Sequence, residues 1–240
     1  MKSLSCVPLL AAALCAFAIS PAVADCINPK TIARATTPIS RTFTDNNEAT
    51  LLAGTGWFLS PRKIATAAHV ARGLQLSTDS WARIDLGQQG LADRVDARIG
   101  QLVDANPEKI AVIELRKPVR GAIPLSVRSA PLKPDEPILS VAYSGMRLRF
   151  AGGRFVDSPS STRFPGAALF EIYDGTDRLV IDEGASGAPV LDCRGEVVGV
   201  ITGTLSQEVT IFARTMRIST AWQKPNVVGI PVGRLANLGW

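Results

Sequence analysis

The segment GTGWFLSPRKIATAAHV, residues 54–70, contains the only histidine of the chain, His69. Two apolar runs separated by turn residues at 60–63 predict a β-hairpin, followed by a short helical turn. The small side chains of Ala65, Ala67 and Ala68 allow the backbone to pack closely around the imidazole. Any base catalysis that this protein performs with an imidazole therefore uses His69.

A second segment, DEGASGAPVLDCRGEVVGV at residues 182–200, places a serine among glycines. These glycines permit a tight loop in which the amides of Gly184 and Ser186 point at one spot. Such a pair of amides stabilises the oxyanion of a tetrahedral intermediate. The two segments together offer a general base and a nucleophile, whereas each alone is also compatible with an ordinary core histidine or an ordinary turn.

Short apolar segments bounded by Gly and Pro fill the rest of the chain, which predicts an all-β sandwich or barrel. We expect strands at 55–59, 64–67, 81–86, 95–103, 110–115, 138–143, 147–156, 167–173, 178–181, 197–202, 209–214 and 227–232. Five prolines between Pro118 and Pro137 indicate a connector rather than sheet. It separates two groups of strands, with His69 in the first group and Ser186 in the second.

The histidine and serine segments resemble those of the trypsin-like (chymotrypsin-fold) serine proteases of bacterial exported type, which commonly read TAAH and GxSGxP. The resemblance implies two six-stranded antiparallel β-barrels with the active site in the cleft between them. It further implies that Ser186 is the nucleophile, His69 the general base, and the amides of Gly184 and Ser186 the oxyanion hole. Val180, at the expected floor of the primary pocket, favours an uncharged P1 residue.

The acid of the family's triad is absent from its usual position. In the family an aspartate directly precedes a strand like the one at 110–115, but Lys109 stands there, and a lysine cannot accept the imidazole proton. Three interpretations remain open. Glu108 or Asp104 replaces the aspartate, a dyad of His69 and Ser186 works without an acid, or the protein is a pseudoprotease that acts as a binding module on the same fold.

The N-terminus has the parts of a secretory signal peptide, namely a positive start, an apolar run at 9–19 and a small-x-small end. We predict cleavage after Ala24 and a periplasmic or secreted product. In an oxidising compartment, Cys26 and Cys193 are expected to form one disulfide, although two free thiols remain an alternative. The predicted parts are the signal peptide at 1–24, a β-barrel at 25–120, the connector at 121–137 and a second barrel at 138–240.

Composition limits the partners. The net charge of +5 comes from scattered arginines, without a basic run or interleaved aromatics, so we expect no nucleic-acid partner. No apolar run is long enough to span a membrane, and we expect no membrane partner after signal cleavage. Ligand spacing offers no metal site, and no cofactor is expected. The predicted partner is a protein or peptide substrate, bound by a monomer.

Overall fold

Six strands in the first half of the chain close into an antiparallel β-barrel in the order β1-β2-β3-β6-β5-β4. They are β1 (Thr36–Asp45), β2 (Glu48–Ser60), β3 (Lys63–Ala67), β4 (Ala82–Gln88), β5 (Leu91–Val103) and β6 (Ile110–Leu115). The pairing of β1 with β4 closes the cylinder. Two short helices accompany these strands, α1 (Pro29–Ala33) before β1 and α2 (Ala68–Gly73) after β3.

A second six-stranded barrel follows, in the order β10-β11-β14-β9-β8-β7. Its strands are β7 (Pro137–Ser144), β8 (Arg147–Asp157), β9 (Ala168–Tyr173), β10 (Pro189–Asp192), β11 (Val197–Thr204) and β14 (Val227–Pro231). A hairpin of β12 (Gln207–Ile211) and β13 (Arg214–Ile218) forms a separate two-stranded sheet. The expected all-β fold of two six-stranded barrels is therefore confirmed.

This computed structural model describes residues 27–45, 48–88, 91–145, 147–157, 166–173, 184–204, 207–211, 214–218, 226–233 and 236. The predicted signal peptide, Cys26, Val180 and the expected strand at 178–181 lie outside these residues. Among the described residues, no helix has the length and apolar character that a membrane crossing needs.

The strand prediction missed β1. Its sequence, TTPISRTFTD, has few apolar residues and a proline, so it lacks a clear hydrophobic alternation. The strand forms because β1 and β2 pair along their length, from Thr36 opposite Trp57 to Asp45 opposite Glu48. The expected single strand at 209–214 was also wrong, because 209–211 belong to β12 whereas Arg214 begins β13, which pairs antiparallel with β12.

Large apolar side chains fill both barrels and the space between them. Trp57, Phe58 and Ile64 are fully buried in the first barrel, and Phe170 is fully buried in the second. One continuous apolar cluster joins side chains of the first barrel to Val141 and others from the second. Burial on this scale, at roughly 1.5–3 kcal/mol for each large side chain, fixes the barrels against each other and so fixes the cleft.

The chain between β6 and β7 runs from 116 to 136 without regular strands. It is held to the second barrel by Arg128, whose side chain is only 11% exposed and pairs with Glu136 and Asp192. The amide of Arg128 also donates to the carbonyl of Val197 over 3.0 Å. The predicted proline-rich connector falls in this irregular region, while the limits of the predicted domains stay a prediction.

Candidate active site

His69 lies in the first turn of α2, directly after the buried strand β3. Ala67 and Ala68 are almost completely buried, and the amide of Ala68 donates to the carbonyl of Lys109 over 3.0 Å. The pairing of β3 with β6 ends with Ala67 opposite Ile110. The residues just before β6 therefore pass alongside the start of α2, next to the half-exposed imidazole.

Glu108 supplies the acceptor for that imidazole. Its Oε1 lies 2.6 Å from Nδ1 of His69, a short distance for an N–H···O bond, as is typical of an ionised acceptor. The side chain of Lys109, the next residue, is directed at a different carboxylate. Its Nζ pairs with Oδ1 of Asp104 over 2.8 Å at the surface.

The carboxylate beside His69 therefore belongs to the residue that directly precedes Lys109. Asp104, the other candidate acid, pairs with Lys109 instead. Its side chain is 71% exposed, whereas that of Glu108 is 17% exposed. Of the two candidates, only Glu108 is brought to His69 by the fold.

The environment of Glu108 keeps it ionised. Burial alone raises the pKa of this carboxyl, but hydrogen bonds from His69 and Thr202 and the nearby charge of Arg72 outweigh burial, so the pKa lies below its usual value. Oγ1 of Thr202 donates to Oε1 over 2.7 Å, and the guanidinium of Arg72 lies 3.8 Å from Oε2. An ionised carboxylate only accepts hydrogen bonds, so Nδ1 of His69 carries the proton in this pair.

The loop that carries Ser186 is fixed to the first barrel by two hydrogen bonds from Thr55. The amide of Thr55 donates to the carbonyl of Ser186 over 2.9 Å, and Oγ1 of Thr55 donates to the carbonyl of Gly184 over 2.7 Å. Gly184 and Gly187 have φ values of +91° and +89°, a region that favours glycine. A Cβ on Gly187 would also lie 2.0 Å from Oγ1 of Thr66, so no larger residue fits there.

The hydroxyl of Ser186 points toward the second barrel. Its Oγ lies 3.5 Å from the carbonyl oxygen of Thr202, at the outer limit of a hydrogen bond. Within the described part of the chain, Ser186 and His69 form no hydrogen bond with each other. A hydroxyl rotates easily, and catalytic hydrogen bonds of ligand-free sites are often long and tighten when substrate binds.

Two backbone amides in this loop are left for a ligand. Across the described residues, the amides of Gly184 and Ser186 donate to no protein acceptor, whereas that of Gly187 donates to Ile201 over 2.7 Å. Unpaired amides beside a serine hydroxyl are the donors that an oxyanion requires. The carbonyls of Gly184 and Ser186 both accept hydrogen bonds from Thr55. The loop is therefore held through its carbonyl oxygens, and its two amides stay available.

Two residues that the sequence does not mark as functional also contribute, since Thr55 contacts the Ser186 loop and Thr202 contacts Glu108. Thr55 lies between Gly54 and Gly56 in the histidine segment. A polar residue flanked by two glycines is the one local feature that indicates a close contact at this position. Thr202 lies in β11, the second strand after the loop that carries Ser186, and no local sequence feature indicates its contact with Glu108. Both contacts join residues from different barrels, which only the fold brings together.

The predicted disulfide stays a prediction, because Cys26 lies outside the described residues. The amide of the next residue, Ile27, donates to the carbonyl of Cys193 over 3.3 Å, so the backbone at Ile27 lies beside Cys193.

The described residues contain no group of three or more His, Cys, Asp or Glu side chains arranged to hold a metal ion.

With this geometry established, comparisons with known proteins add a sequence match. The family model of the trypsin-like peptidase domain matches residues 54–200, a range that includes His69, Glu108 and Ser186. The chain is 26% identical over 201 residues to the serine protease Rv3671c of Mycobacterium tuberculosis strain H37Rv. It is equally similar to the serine protease MT3772 of strain CDC 1551. Each match covers 79% of this chain and 43% of the relative, so the chain spans less than half the length of these curated relatives.

Solved structures share the fold. The active form of the Rv3671c protease from M. tuberculosis superposes with a TM-score of 0.61 at 16% identity, over 98% of this chain and 91% of that one. An inactive form of the same protease gives a TM-score of 0.53 at 16% identity, over 86% and 88% of the two chains. The double barrel described above is thus found in known proteins, and the sequence match includes the strands and loops that carry the site.

Proposed function

Because this chain belongs to the trypsin-like peptidase family, we propose that it is an exported serine endopeptidase that hydrolyses peptide bonds through an acyl-enzyme. The observation that carries the proposal is the 2.6 Å contact between Nδ1 of His69 and Oε1 of Glu108. That contact gives the imidazole an ionised acceptor, which holds the proton on Nδ1 and leaves Nε2 free to act as a base.

In the proposed acylation, Oγ of Ser186 attacks the carbonyl carbon of the scissile bond while its proton passes to Nε2 of His69. The oxyanion that forms is bound by the amides of Gly184 and Ser186, each worth about 2.7–4 kcal/mol in comparable sites. Glu108 stabilises the imidazolium without taking its proton. The imidazolium then protonates the amine as the C–N bond breaks, which leaves an ester on Ser186.

Deacylation reverses these roles. A water molecule gives a proton to Nε2 of His69 and its oxygen attacks the ester, and the second tetrahedral intermediate uses the same two amides. The bond from the carbonyl carbon to Oγ then breaks, the proton returns to Ser186, and a carboxylic acid leaves. Every proton and bond is accounted for by the protein, the peptide and water, so the proposal needs no cofactor or metal.

Export and substrate class are further parts of the proposal. The apolar run at 9–19 supports removal of residues 1–24 and action in the periplasm or outside the cell. Substrates are proteins or peptides, which the family membership supports. Val180, the candidate for an uncharged P1 pocket, lies outside the described residues, so P1 preference rests on the sequence alone.

One observation favours a second candidate, a catalytically inactive binding module on the same fold. Oγ of Ser186 is directed at the carbonyl of Thr202 over 3.5 Å rather than at His69. If that rotamer persisted when a peptide bound, the nucleophile would have no base and the cleft would hold a peptide without cutting it.

A fluorophosphonate probe decides between the two candidates. Attack by Oγ of Ser186 forms a bond to phosphorus as fluoride leaves, so we expect labelling of the purified protein at Ser186, located by mass spectrometry of its peptides. Ser186→Ala and His69→Ala should abolish labelling, while Ser129→Ala, an exposed serine of the connector, should label normally. If the folded protein is not labelled at any pH tested, the peptidase proposal is wrong and the binding module is supported.

A further inference from the structure

Thr55 is a buried polar residue of the first barrel that reaches into the second. It lies in β2, is 0% exposed and has all of its hydrogen-bonding groups engaged. Its carbonyl accepts from Oγ1 of Thr66 over 2.7 Å, and its hydroxyl accepts from the amide of Tyr143 over 2.9 Å. The remaining two donors, its hydroxyl and its amide, both go to the nucleophile loop.

These two donors have a specific pair of targets. Oγ1 of Thr55 donates to the carbonyl of Gly184 over 2.7 Å, and its amide donates to the carbonyl of Ser186 over 2.9 Å. Gly184 and Ser186 are also the residues whose amides have no protein acceptor in the described structure. One residue therefore binds the carbonyl oxygens of the two positions whose N–H groups would bind the oxyanion.

Close packing makes this arrangement possible. A Cβ on Gly54 would lie 3.3 Å from the carbonyl oxygen of Ser186, and a Cβ on Gly187 would lie 2.2 Å from the carbonyl oxygen of Thr55. The glycines on both sides of the contact thus let β2 and the loop approach closely. Because Gly184 has no Cβ and a φ of +91°, its own conformational preference does not fix the loop, and an external hydrogen bond has to.

We propose that the Thr55 hydroxyl is a positioning residue that sets the direction of the oxyanion-hole amides by holding the carbonyl of Gly184. This inference rests on the proposed peptidase function and deepens it. The backbone bond from Thr55 to Ser186 does not involve the side chain and is kept by every residue except proline, so the hydroxyl acts on the Gly184 end of the loop. The hydroxyl also bonds the end of β7 through Tyr143, so it fixes the loop relative to both barrels.

Thr55→Val tests the hydroxyl with little change of shape. It leaves the partly buried carbonyl of Gly184 without its donor and the buried amide of Tyr143 without its acceptor. We expect the maximal rate of acylation by a fluorophosphonate probe to fall about 10- to 100-fold, less than the roughly 10²–10³ lost when an oxyanion donor is removed outright. The concentration of probe at half-maximal rate should change little, because the amides act on the transition state. Thr55→Ser, which keeps the hydroxyl, should restore most of the rate.

Thr36→Val is the matched control. Thr36 is also a threonine of the first barrel, is 0% exposed and donates its hydroxyl to the carbonyls of Ile32 and Ala33 over 3.3 Å each. It should lower the melting temperature, as Thr55→Val does, without slowing acylation. If Thr55→Val slowed acylation no more than Thr36→Val does, or if Thr55→Ser failed to recover the rate, the positioning role would be wrong.

Hydrogen exchange separates this inference from the proposed function. In Thr55→Val, the amides of Gly187 and Ala188 should exchange faster than in Thr36→Val, because the bonds from these amides to Ile201 and Ala185 depend on an ordered loop. If the wild-type protein is not labelled but this exchange difference is seen, the proposed peptidase function is wrong, whereas the Thr55 hydroxyl still orders the loop. If labelling is normal but exchange is equal in both variants, the proposed role of the hydroxyl is wrong and the peptidase function stands.

Discussion

The two halves of the candidate site are organised in different ways. In the histidine half, side chains are already paired, with His69 bound to Glu108 over 2.6 Å and Glu108 bound to Thr202 over 2.7 Å. In the serine half, the backbone is fixed by Thr55, but the hydroxyl of Ser186 points at a carbonyl oxygen 3.5 Å away. The proposed base is oriented before substrate arrives, whereas the proposed nucleophile has a fixed backbone and a hydroxyl that must still rotate toward His69.

This difference indicates which changes each half tolerates. The histidine half depends on charge and on hydrogen bonds between side chains, so isosteric substitutions that alter charge should damage it. The serine half depends on backbone geometry at two glycines, so even one added methyl group should damage it.

Glu108→Gln should have the largest effect, and it tests the histidine half. The neutral amide cannot stabilise the imidazolium, and it can hold the wrong tautomer of His69. We therefore expect kcat/KM for a peptide ester to fall by about 10³–10⁴, as in comparable changes of a triad acid.

Glu114→Gln is the control for that change, because Glu114 lies in β6 and pairs with Arg98 over 2.7 Å, apart from the catalytic groups. It should keep near-normal kcat/KM. Equal rates for the two variants would mean that Glu108 does not act on His69.

Gly187→Ala tests the serine half through stability. The new Cβ would lie 2.0 Å from Oγ1 of Thr66 and 2.2 Å from the carbonyl oxygen of Thr55, at a φ of +89°. Those two atoms are bonded to each other, so neither moves aside easily. We expect the free energy of unfolding in urea to fall by about 3 kcal/mol.

Gly73→Ala makes the same chemical change at the end of α2, in the histidine half. A Cβ at Gly73 meets no atom within 4 Å, so stability should stay the same or rise slightly. A loss at Gly73 as large as the loss at Gly187 would contradict the idea that close packing at Gly187 is what makes this position of the serine half sensitive.

Thr202→Val tests the hydrogen bond by which the second barrel contacts the histidine half. It removes the donor to Oε1 of Glu108, so the carboxylate is held less firmly and its pKa rises toward the usual value. We expect kcat/KM to fall about tenfold, at the low end of what a hydrogen bond to a charged group contributes. Thr202→Ser should recover the rate, and failure to do so would point to packing rather than to the hydroxyl.

Lys109→Asp should have the smallest effect. The side chain at 109 faces away from the imidazole and pairs with Asp104 over 2.8 Å, so an aspartate there cannot replace Glu108. We expect kcat/KM to change by less than about threefold, in line with the small energies of surface ion pairs. A large gain in rate would show that the imidazole lacks its acid in the native protein.

The sequence was sufficient to predict the fold because two segments, at 54–70 and 182–200, combine local structure with the chemistry of the site. β6 was also predicted with its observed limits, Ile110–Leu115, since it is a continuous buried apolar run. β1 was not, because it is stabilised by its pairing with β2 rather than by a pattern of its own. A sequence pattern therefore indicates which strand is buried, but it does not indicate which strands pair with each other.

The position of the acid could be narrowed but not decided from the sequence. Glu108 and Lys109 are adjacent, yet Glu108 contacts His69 whereas Lys109 contacts Asp104. Glu108 lies in a bend before β6, where the alternation of side chains along a strand does not predict which side chain faces the site. The contact of Thr202 with Glu108 spans 94 residues and depends on how the two barrels pack.

The most direct test of the role of Glu108 is a nitrogen-15 NMR spectrum of the imidazole, which is unambiguous because the chain has one histidine. In the wild-type protein, with neutral His69, we predict a proton on Nδ1 and an unprotonated Nε2. In Glu108→Ala, the proton should shift in part to Nε2, while Lys109→Ala should match the wild type. An identical tautomer in wild type and Glu108→Ala would contradict the account.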